Sequence, residues 1–218
     1  MPQSEGPLGV LGGTFDPVHH GHLCLAEEAL WKLGLTEVHW VPAGNPAHRG
    51  VPQASAPHRL AMIRLATHGN PRFCIDDGEA LSAAPSYSVP TLQRLRAQIG
   101  PRRPLVLLLG ADAFLGLGTW HRWREIFGLA HLAVATRPGY PLTAEIMEAA
   151  LADEFRPRQV SSAAAITETP AGRIVPFDIT SLDISATTLR AEIGAKHSPR
   201  YLLPDPVLDY IAAHRLYS

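Results

Sequence analysis

The first forty residues carry the pattern that most limits how this chain can fold. A short apolar run covers residues 8–11, Gly12 and Gly13 follow it, and apolar residues with helical spacing then continue to about Leu33. A second β-rich run lies at residues 37–41. Strand, helix and strand in this order form a βαβ unit, which predicts a mainly parallel sheet with right-handed crossovers.

Further apolar runs extend this unit to a doubly wound α/β fold with Rossmann-like topology. The run at 105–109 is the most apolar in the chain, which is typical of a central parallel strand buried on both faces. The other strands are expected at residues 73–75, 131–136 and 173–177. Helices are expected from Ser55 toward Asn70, through Leu92 to Ile99, at 142–151, after Ser185, and at 207–216.

We therefore predict one domain over residues 1–218, with a C-terminal helical part, roughly 185–218, packed on it. Residues 152–172 show weak periodicity and are expected to form a surface excursion. A group of three acidic residues (Asp76, Asp77 and Glu79) lacks a regular ligand spacing, which favours a solvated turn over a metal site.

The glycine pair and the helix start that follows it predict a site for a phosphate chain. Glycine lets the backbone approach a ligand closely, and a helix N-terminus offers N–H groups to an anion. His19 and His22 are three residues apart, so both imidazoles point toward one spot if the helix begins near His20. A pair of imidazoles can bind phosphate, coordinate zinc or lie solvated at the surface, and spacing alone leaves these alternatives open.

The charge composition argues against two classes of binding partner. The chain has 19 basic and 20 acidic residues, a formal net charge of −1, which argues against nucleic acid or an anionic membrane as a partner. Nearly all the basic residues are arginine, which suits bidentate recognition of phosphate. Cys24 and Cys74 are far apart and are interpreted as small buried residues in a reducing compartment. With no signal-peptide pattern at the N-terminus, a soluble cytoplasmic protein is expected.

Two motifs carry a family resemblance. Residues 12–22 read G-G-T-F-D-P-V-H-H-G-H and contain the H-x-G-H hallmark of a nucleotidyltransferase superfamily, and residues 184–190 read I-S-A-T-T-L-R. These two segments, called here the first and second signatures, resemble those of the bacterial nicotinate-nucleotide adenylyltransferase family. The resemblance implies transfer of AMP from ATP to nicotinate mononucleotide, with release of pyrophosphate. The reaction that it implies is a direct in-line attack on ATP without a covalent enzyme intermediate.

The resemblance also implies where ATP binds. His19 and His22 are expected at the ATP phosphates, with His22 nearest the α-phosphate, and Arg190 with Ser185 at the β- and γ-phosphates. Mg²⁺ is expected to arrive with ATP, held by phosphate oxygens and water. The full expected ATP set is Gly12, Gly13, Thr14, Phe15, Gly21, Asp112, Ile184, Ser185 and Thr187. From the residues alone, Asp112 is equally a helix N-cap, and the second signature a capped helix with a surface arginine.

For the mononucleotide, the resemblance implies six residues: Asp16, His48, Arg49, Ser86, Tyr87 and Trp120. His48 and Arg49 match a P-P-H-[KR] segment, in which Ala47 replaces one proline of the family pattern. Without the resemblance, these two are a solvated loop pair and Tyr87 is a half-buried packing residue. Trp120 is expected to stack on the pyridine ring, and Trp123 to lie in the core.

Three other functions compete with this hypothesis. A sister enzyme would adenylate nicotinamide mononucleotide or phosphopantetheine, and a nucleotide-binding regulator would keep the pocket without turnover. The regulator is disfavoured because His19, His22 and Arg190 are all present. An aminoacyl-tRNA synthetase of the H-I-G-H type is disfavoured by the short chain and the lack of a basic surface. Association into a homo-oligomer is compatible with the sequence but is not specified by it.

Overall fold

A computed structural model describes residues 6–46, 50–137 and 139–218. The strands that it contains in these ranges are β1 Leu8–Gly13, β2 Glu37–Pro42, β3 Asn45–Pro46, β4 Phe73–Ile75, β5 Pro85–Ser86, β6 Leu105–Gly110, β7 His131–Thr136 and β8 Ile174–Asp178. The helices are α1 His20–Lys32, α2 Ala56–Thr67, α3 Ser88–Ile99, α4 Ala111–Leu115, α5 Ile126–Leu129, α6 Ala149–Arg158, α7 Ala186–Gly194 and α8 Asp205–Ala213. Short 3₁₀ turns lie at Leu117–Thr119, Trp123–Glu125, Ala144–Ile146 and Ala163–Thr167.

Six strands form the main sheet, in the order β4-β2-β1-β6-β7-β8. Numbered among themselves along the chain, these strands lie in the order 3-2-1-4-5-6, which is the order of the doubly wound Rossmann fold. The pairs β1–β6, β6–β7 and β7–β8 are parallel. The α/β class, the parallel sheet and all six predicted strands are thus confirmed. The separate pair of β3 and β5 was not predicted.

By their contacts, the described residues divide into two compact units. The first unit is drawn from residues 6–11, 26–39 and 87–180, and the second from residues 12–25, 40–86 and 181–218. Both signatures, residues 12–22 and 184–190, therefore belong to the second unit. Within the described ranges, every helix is too short or too polar to cross a membrane.

The core of the first unit is built on β6 and β7. All residues of 105–109 are at most 5% exposed, as predicted for a strand covered on both faces. The prediction of a helix at 142–151 is wrong, because residues 144–146 form a 3₁₀ turn and α6 begins only at Ala149. Most of residues 152–172 are exposed or half-buried, as predicted for a surface segment, but the buried Phe155 of α6 and Ile166 anchor the segment to the core. Pro157 and the small residues at 161–165 obscure its periodicity.

A buried histidine begins β7. His131 is fully buried, its Nε2 lies 2.8 Å from the carbonyl oxygen of Thr169, and its Nδ1 accepts a hydrogen bond of 3.1 Å from the Arg173 amide. These partners fit one neutral tautomer, which donates from Nε2 and accepts at Nδ1. Burial is the main cause that lowers the pKa of His131 below its usual 6.5.

This histidine makes the folded state sensitive to acid. In the unfolded chain the pKa of His131 returns to about 6.5, so below that pH the unfolded state binds more protons and the free energy of unfolding falls. We expect that free energy to decrease less between pH 7 and pH 5 in His131→Asn, which cannot be protonated, than in the wild type. Urea unfolding at several pH values measures this, with the exposed His68→Asn as control. Equal pH dependence in His131→Asn and the wild type would contradict the assignment.

Candidate active site

The connection from β1 to α1 folds back over the end of the strand. α1 begins at His20, as the first signature predicts. Phe15 has a φ of 52° and is 2% exposed, and its ring packs against Trp40 at 5.4 Å and His22 at 5.0 Å between centroids. A Cβ on Gly13 would lie 3.0 Å from the Phe15 ring, which is tighter than ordinary van der Waals contact, so a side chain there would press on this buried ring. Phe15 thus supports the site through packing.

The two histidines of the first signature lie together at the start of α1. The ring centroids of His19 and His22 are 3.8 Å apart. Nδ1 of His22 accepts a hydrogen bond of 3.3 Å from the His19 amide, so neutral His22 carries its proton on Nε2. His19 is only 6% exposed, and burial first, then the neighbouring His20, lowers its pKa to about 4. His19 is therefore neutral at pH 7.

This geometry weighs against two of the alternatives left open by the spacing. The burial of His19 excludes a solvated surface pair. No third histidine, cysteine or carboxylate of the described residues lies with both imidazoles in a group that could hold a metal ion. Nδ1 of His19 is buried and has no hydrogen-bond partner within the described ranges. A buried polar atom of this kind favours a ligand that completes it.

Asp16 joins several segments of the second unit. Its carboxylate is 5% exposed and accepts hydrogen bonds from the Gln53 amide at 2.8 Å, the Ala54 amide at 3.0 Å and the Tyr217 hydroxyl at 2.7 Å. Its backbone carbonyl accepts a hydrogen bond of 2.7 Å from Nη1 of Arg190. A buried carboxylate needs such donors to offset its desolvation. The structure therefore shows Asp16 as an organising residue, while its role toward the mononucleotide stays a prediction.

Arg59 is a buried cation that the sequence analysis missed. It is 1% exposed and donates hydrogen bonds to the carbonyl oxygens of Thr14 at 2.7 Å, Gly44 at 3.0 Å and Ala54 at 3.1 Å. Burial lowers the pKa of Arg59, but a guanidinium stays charged in proteins. The sequence did contain a signal for this residue, since Arg59 lies beside Leu60 on the apolar face of α2. A charged side chain on such a face is buried only when it is paired, so its position indicated buried hydrogen-bond partners.

The second signature begins α7, with Ser185 as the predicted N-cap. The Ser185 hydroxyl oxygen accepts a hydrogen bond of 3.1 Å from the Thr188 amide. From this helix, Nη1 of Arg190 donates a hydrogen bond to the carbonyl oxygen of Asp16, and Nη2 lies 3.4 Å from the Thr187 hydroxyl oxygen. Its Nε is buried and has no hydrogen-bond partner among the described residues. The two signatures are thus in direct contact.

A second contact between the signatures involves Gly21 and Ile184. A Cβ on Gly21 would lie 3.1 Å from the His19 ring and 4.0 Å from the carbonyl oxygen of Ile184. At Gly12, in contrast, an added Cβ would meet no atom within 4 Å. Open space therefore remains beside Gly12, and packing does not require a glycine at that position.

The loop after β2 is held by Ser86. The Ser86 hydroxyl oxygen accepts hydrogen bonds from the amides of Gly44 at 3.0 Å and Asn45 at 3.3 Å, and β3 pairs with β5 at the same place. A Cβ on Gly44 would lie 2.1 Å from the carbonyl oxygen of Glu79, so no side chain fits there. His48 and Arg49, predicted to bind the mononucleotide phosphate, lie outside the described residues.

Three predicted ligand residues belong to the first unit. Tyr87 precedes α3, and its ring lies 4.7 Å from that of His121, an aromatic neighbour that the sequence analysis missed. Trp120 is half-buried, whereas Trp123 is 8% exposed and packs on Phe127, which confirms Trp123 as a core residue. Asp112 is exposed in the first turn of α4. The N-cap of that helix is Gly110, so the N-cap interpretation of Asp112 is wrong.

Comparisons with known proteins show the family to which the chain belongs. The cytidylyltransferase-like family model matches residues 10–192. A probable nicotinate-nucleotide adenylyltransferase of Dechloromonas aromatica (strain RCB) is 56% identical over 211 residues, which are 97% of each chain. A probable nicotinate-nucleotide adenylyltransferase of Acidithiobacillus ferrooxidans is 46% identical, over 96% of this chain and 95% of the relative.

Solved structures show the same fold. Plasmodium falciparum nicotinic acid mononucleotide adenylyltransferase complexed with NaAD has a TM-score of 0.72 at 14% identity, over 97% of both chains. The same Plasmodium enzyme complexed with APC, an ATP analogue, has a TM-score of 0.68 at 14% identity, also over 97% of both chains. From the matched length and the identities of the bacterial relatives, this chain belongs to the nicotinate-nucleotide adenylyltransferase family of the cytidylyltransferase-like nucleotidyltransferases.

Proposed function

We propose that this protein transfers AMP from ATP to nicotinate mononucleotide, forming nicotinate adenine dinucleotide and pyrophosphate in NAD biosynthesis. The bacterial relatives carry the name of this activity. The observation that carries the proposal is the hydrogen bond of 2.7 Å from Arg190 to the carbonyl of Asp16. It joins the two phosphate-binding signatures, so the imidazoles of α1 and the cation of α7 can act on one triphosphate.

The proposed reaction is an in-line displacement at the α-phosphorus. An oxygen of the mononucleotide 5′-phosphate forms a bond to this phosphorus, and the bond from the phosphorus to the oxygen bridging to the β-phosphate breaks, releasing pyrophosphate. No protein nucleophile is required, so catalysis depends on positioning and on stabilising the charge of the equatorial oxygens. The N–H of His22, on Nε2, is the donor that we assign to the α-phosphate.

The other groups divide between the two substrates. Arg190 supplies positive charge for the β- and γ-phosphates, and the N-terminus of α7 adds N–H donors beside Ser185 and Thr187. His48 and Arg49 are proposed to hold the attacking phosphate, whose negative charge otherwise repels the triphosphate. Tyr87 and Trp120 are proposed to contact the pyridine ring.

A magnesium ion is proposed to enter with ATP. Both oxygens of the Asp16 carboxylate already accept hydrogen bonds, so this buried residue is not suited to bind the ion. Phosphate oxygens and water therefore remain as its ligands, in keeping with the preference of Mg²⁺ for oxygen and for retained water. When bound, the ion neutralises charge on the leaving pyrophosphate.

We also propose that residues 1–218 form one nucleotidyltransferase domain, because the family model includes segments of both units. The cytoplasmic location and the state of association stay predictions.

Pyrophosphate release by the purified protein with Mg-ATP tests the proposed acceptor. We expect the kcat/KM for nicotinate mononucleotide to exceed that for nicotinamide mononucleotide or phosphopantetheine by roughly 100-fold or more. The reason for the first comparison is that hydrogen-bond donors placed for a carboxylate stay partly unpaired when an amide takes its place. Activity with only one of the other two would retain the phosphate site but refute the acceptor. Binding of ATP without turnover on any acceptor would favour a regulator.

Two substitutions at His22 separate its donor from its packing. Asparagine places an oxygen where Nδ1 accepts the His19 amide but has no group at Nε2, whereas glutamine can place its amide N–H near the Nε2 position. We expect His22→Asn to lower kcat about 100-fold, the scale of losing a transition-state donor, and His22→Gln to lower it less. Steady-state kinetics measure both. Wild-type kcat in His22→Asn would remove His22 from the proposed mechanism.

A further inference from the structure

Tyr217, the last residue but one, reaches into the second unit from the end of the chain. Its hydroxyl donates a hydrogen bond of 2.7 Å to Oδ1 of Asp16, a carboxylate that is 5% exposed. Burial and the neighbouring carboxylate raise the pKa of Tyr217 above its usual value. The hydroxyl therefore keeps its proton and acts as a donor throughout the neutral pH range.

The backbone after α8 adopts left-handed conformations at two residues that carry side chains. α8 ends at Ala213, and Arg215 and Tyr217 then adopt φ angles of 51° and 65°. Residues with a Cβ rarely adopt such angles, so both positions are strained. The turn is held by hydrogen bonds from the Leu216 amide to Ile211 and from the Ser218 hydroxyl to Arg215.

The contact is made beside Arg190. Nη1 of Arg190 donates to the Asp16 carbonyl and lies 3.9 Å from Oδ2 of the same residue, which is longer than a hydrogen-bonded ion pair. A guanidinium and a carboxylate otherwise tend to form a closed, bidentate pair at about 2.8 Å. The donors already on the Asp16 oxygens, Tyr217 among them, oppose this closure.

We propose that Tyr217 is a positioning residue of the active site, which holds the Asp16 carboxylate away from Arg190 so that the guanidinium stays directed at the ATP phosphates. Asp16 keeps its two backbone donors without Tyr217, so its charge would remain buried but would be less restrained. The carboxylate would then compete with the triphosphate for Arg190. Tyr217 thus determines the affinity for ATP through Asp16 without touching the nucleotide.

Tyr217→Phe tests this proposal by removing only the hydroxyl. We expect the KM for ATP to rise about tenfold, while the KM for nicotinate mononucleotide and kcat change less than threefold. Tyr210→Phe is the matched control. The hydroxyl of Tyr210 on α8 lies 3.0 Å from Nδ1 of His58 on α2, and Asp16 is not part of this contact. Tyr210→Phe should lose stability to urea as Tyr217→Phe does, yet keep the wild-type KM for ATP. Equal rises in that KM in both variants would reduce Tyr217 to a structural residue.

A double-mutant cycle identifies the carboxylate as the intermediary. In an Asp16→Asn background the competing charge is absent, so Tyr217→Phe should change the KM for ATP less than twofold. A full tenfold effect in that background would overturn the proposal.

The proposal rests on the proposed function for the identity of the ligand, and the two can fail separately. A wild-type protein that is inactive with nicotinate mononucleotide refutes the function, and the affinity for an ATP analogue, measured by calorimetry, then still reports on Tyr217. Normal wild-type turnover together with an unchanged KM for ATP in Tyr217→Phe refutes this inference alone.

Discussion

The second unit depends on one buried charge, the carboxylate of Asp16. Removing a carboxylate from water costs several kcal/mol unless donors and opposite charges compensate for it. Here the compensation comes from separate parts of the chain: the amides at 53–54, the side chain of Tyr217 and the nearby cations Arg59 and Arg190. Each of these segments is therefore fixed relative to the first signature, and the carboxylate acts as a structural centre of the second unit.

The two cations near Asp16 have different environments and therefore different uses. All three nitrogens of the Arg59 guanidinium donate to backbone carbonyls, so its charge serves the fold of the loop. Arg190 uses one nitrogen for the Asp16 carbonyl and keeps a buried Nε without a hydrogen-bond partner among the described residues. Positive charge is thus concentrated around the buried Asp16 carboxylate although the net charge of the chain is −1. Arg59 is held by backbone carbonyls, whereas Nη1 of Arg190 lies 3.9 Å from Oδ2 of Asp16.

Sequence reasoning succeeded where the pattern is local and failed where it is not. The sheet strands, the start of α1 and the Ser185 cap follow from periodicity and helix-start chemistry over a few residues. Arg59 and Tyr217 contact segments 45 and 201 residues away in the chain. The local pattern places Arg59 on an apolar face but does not identify its partners, and no local pattern indicates the contact of Tyr217. The helix expected at 142–151 failed for another reason, since Met147 and Glu148 have extended backbone and separate the 3₁₀ turn at 144–146 from α6.

The histidines show why the motif needs its surroundings as well as its spacing. An imidazole in water is partly protonated near pH 6.5, and a cation there would bind phosphate strongly in the ground state and in the transition state alike. Burial lowers the pKa of His19 to about 4, and the bond from the His19 amide to Nδ1 of His22 selects one tautomer of His22. Neutral, oriented N–H groups contribute most where charge develops during the reaction, because they require little reorganisation at that moment. The buried ring of Phe15 packs against His22 at 5.0 Å between centroids and helps to hold that imidazole in place, so an apolar residue contributes to the orientation on which the proposed mechanism depends.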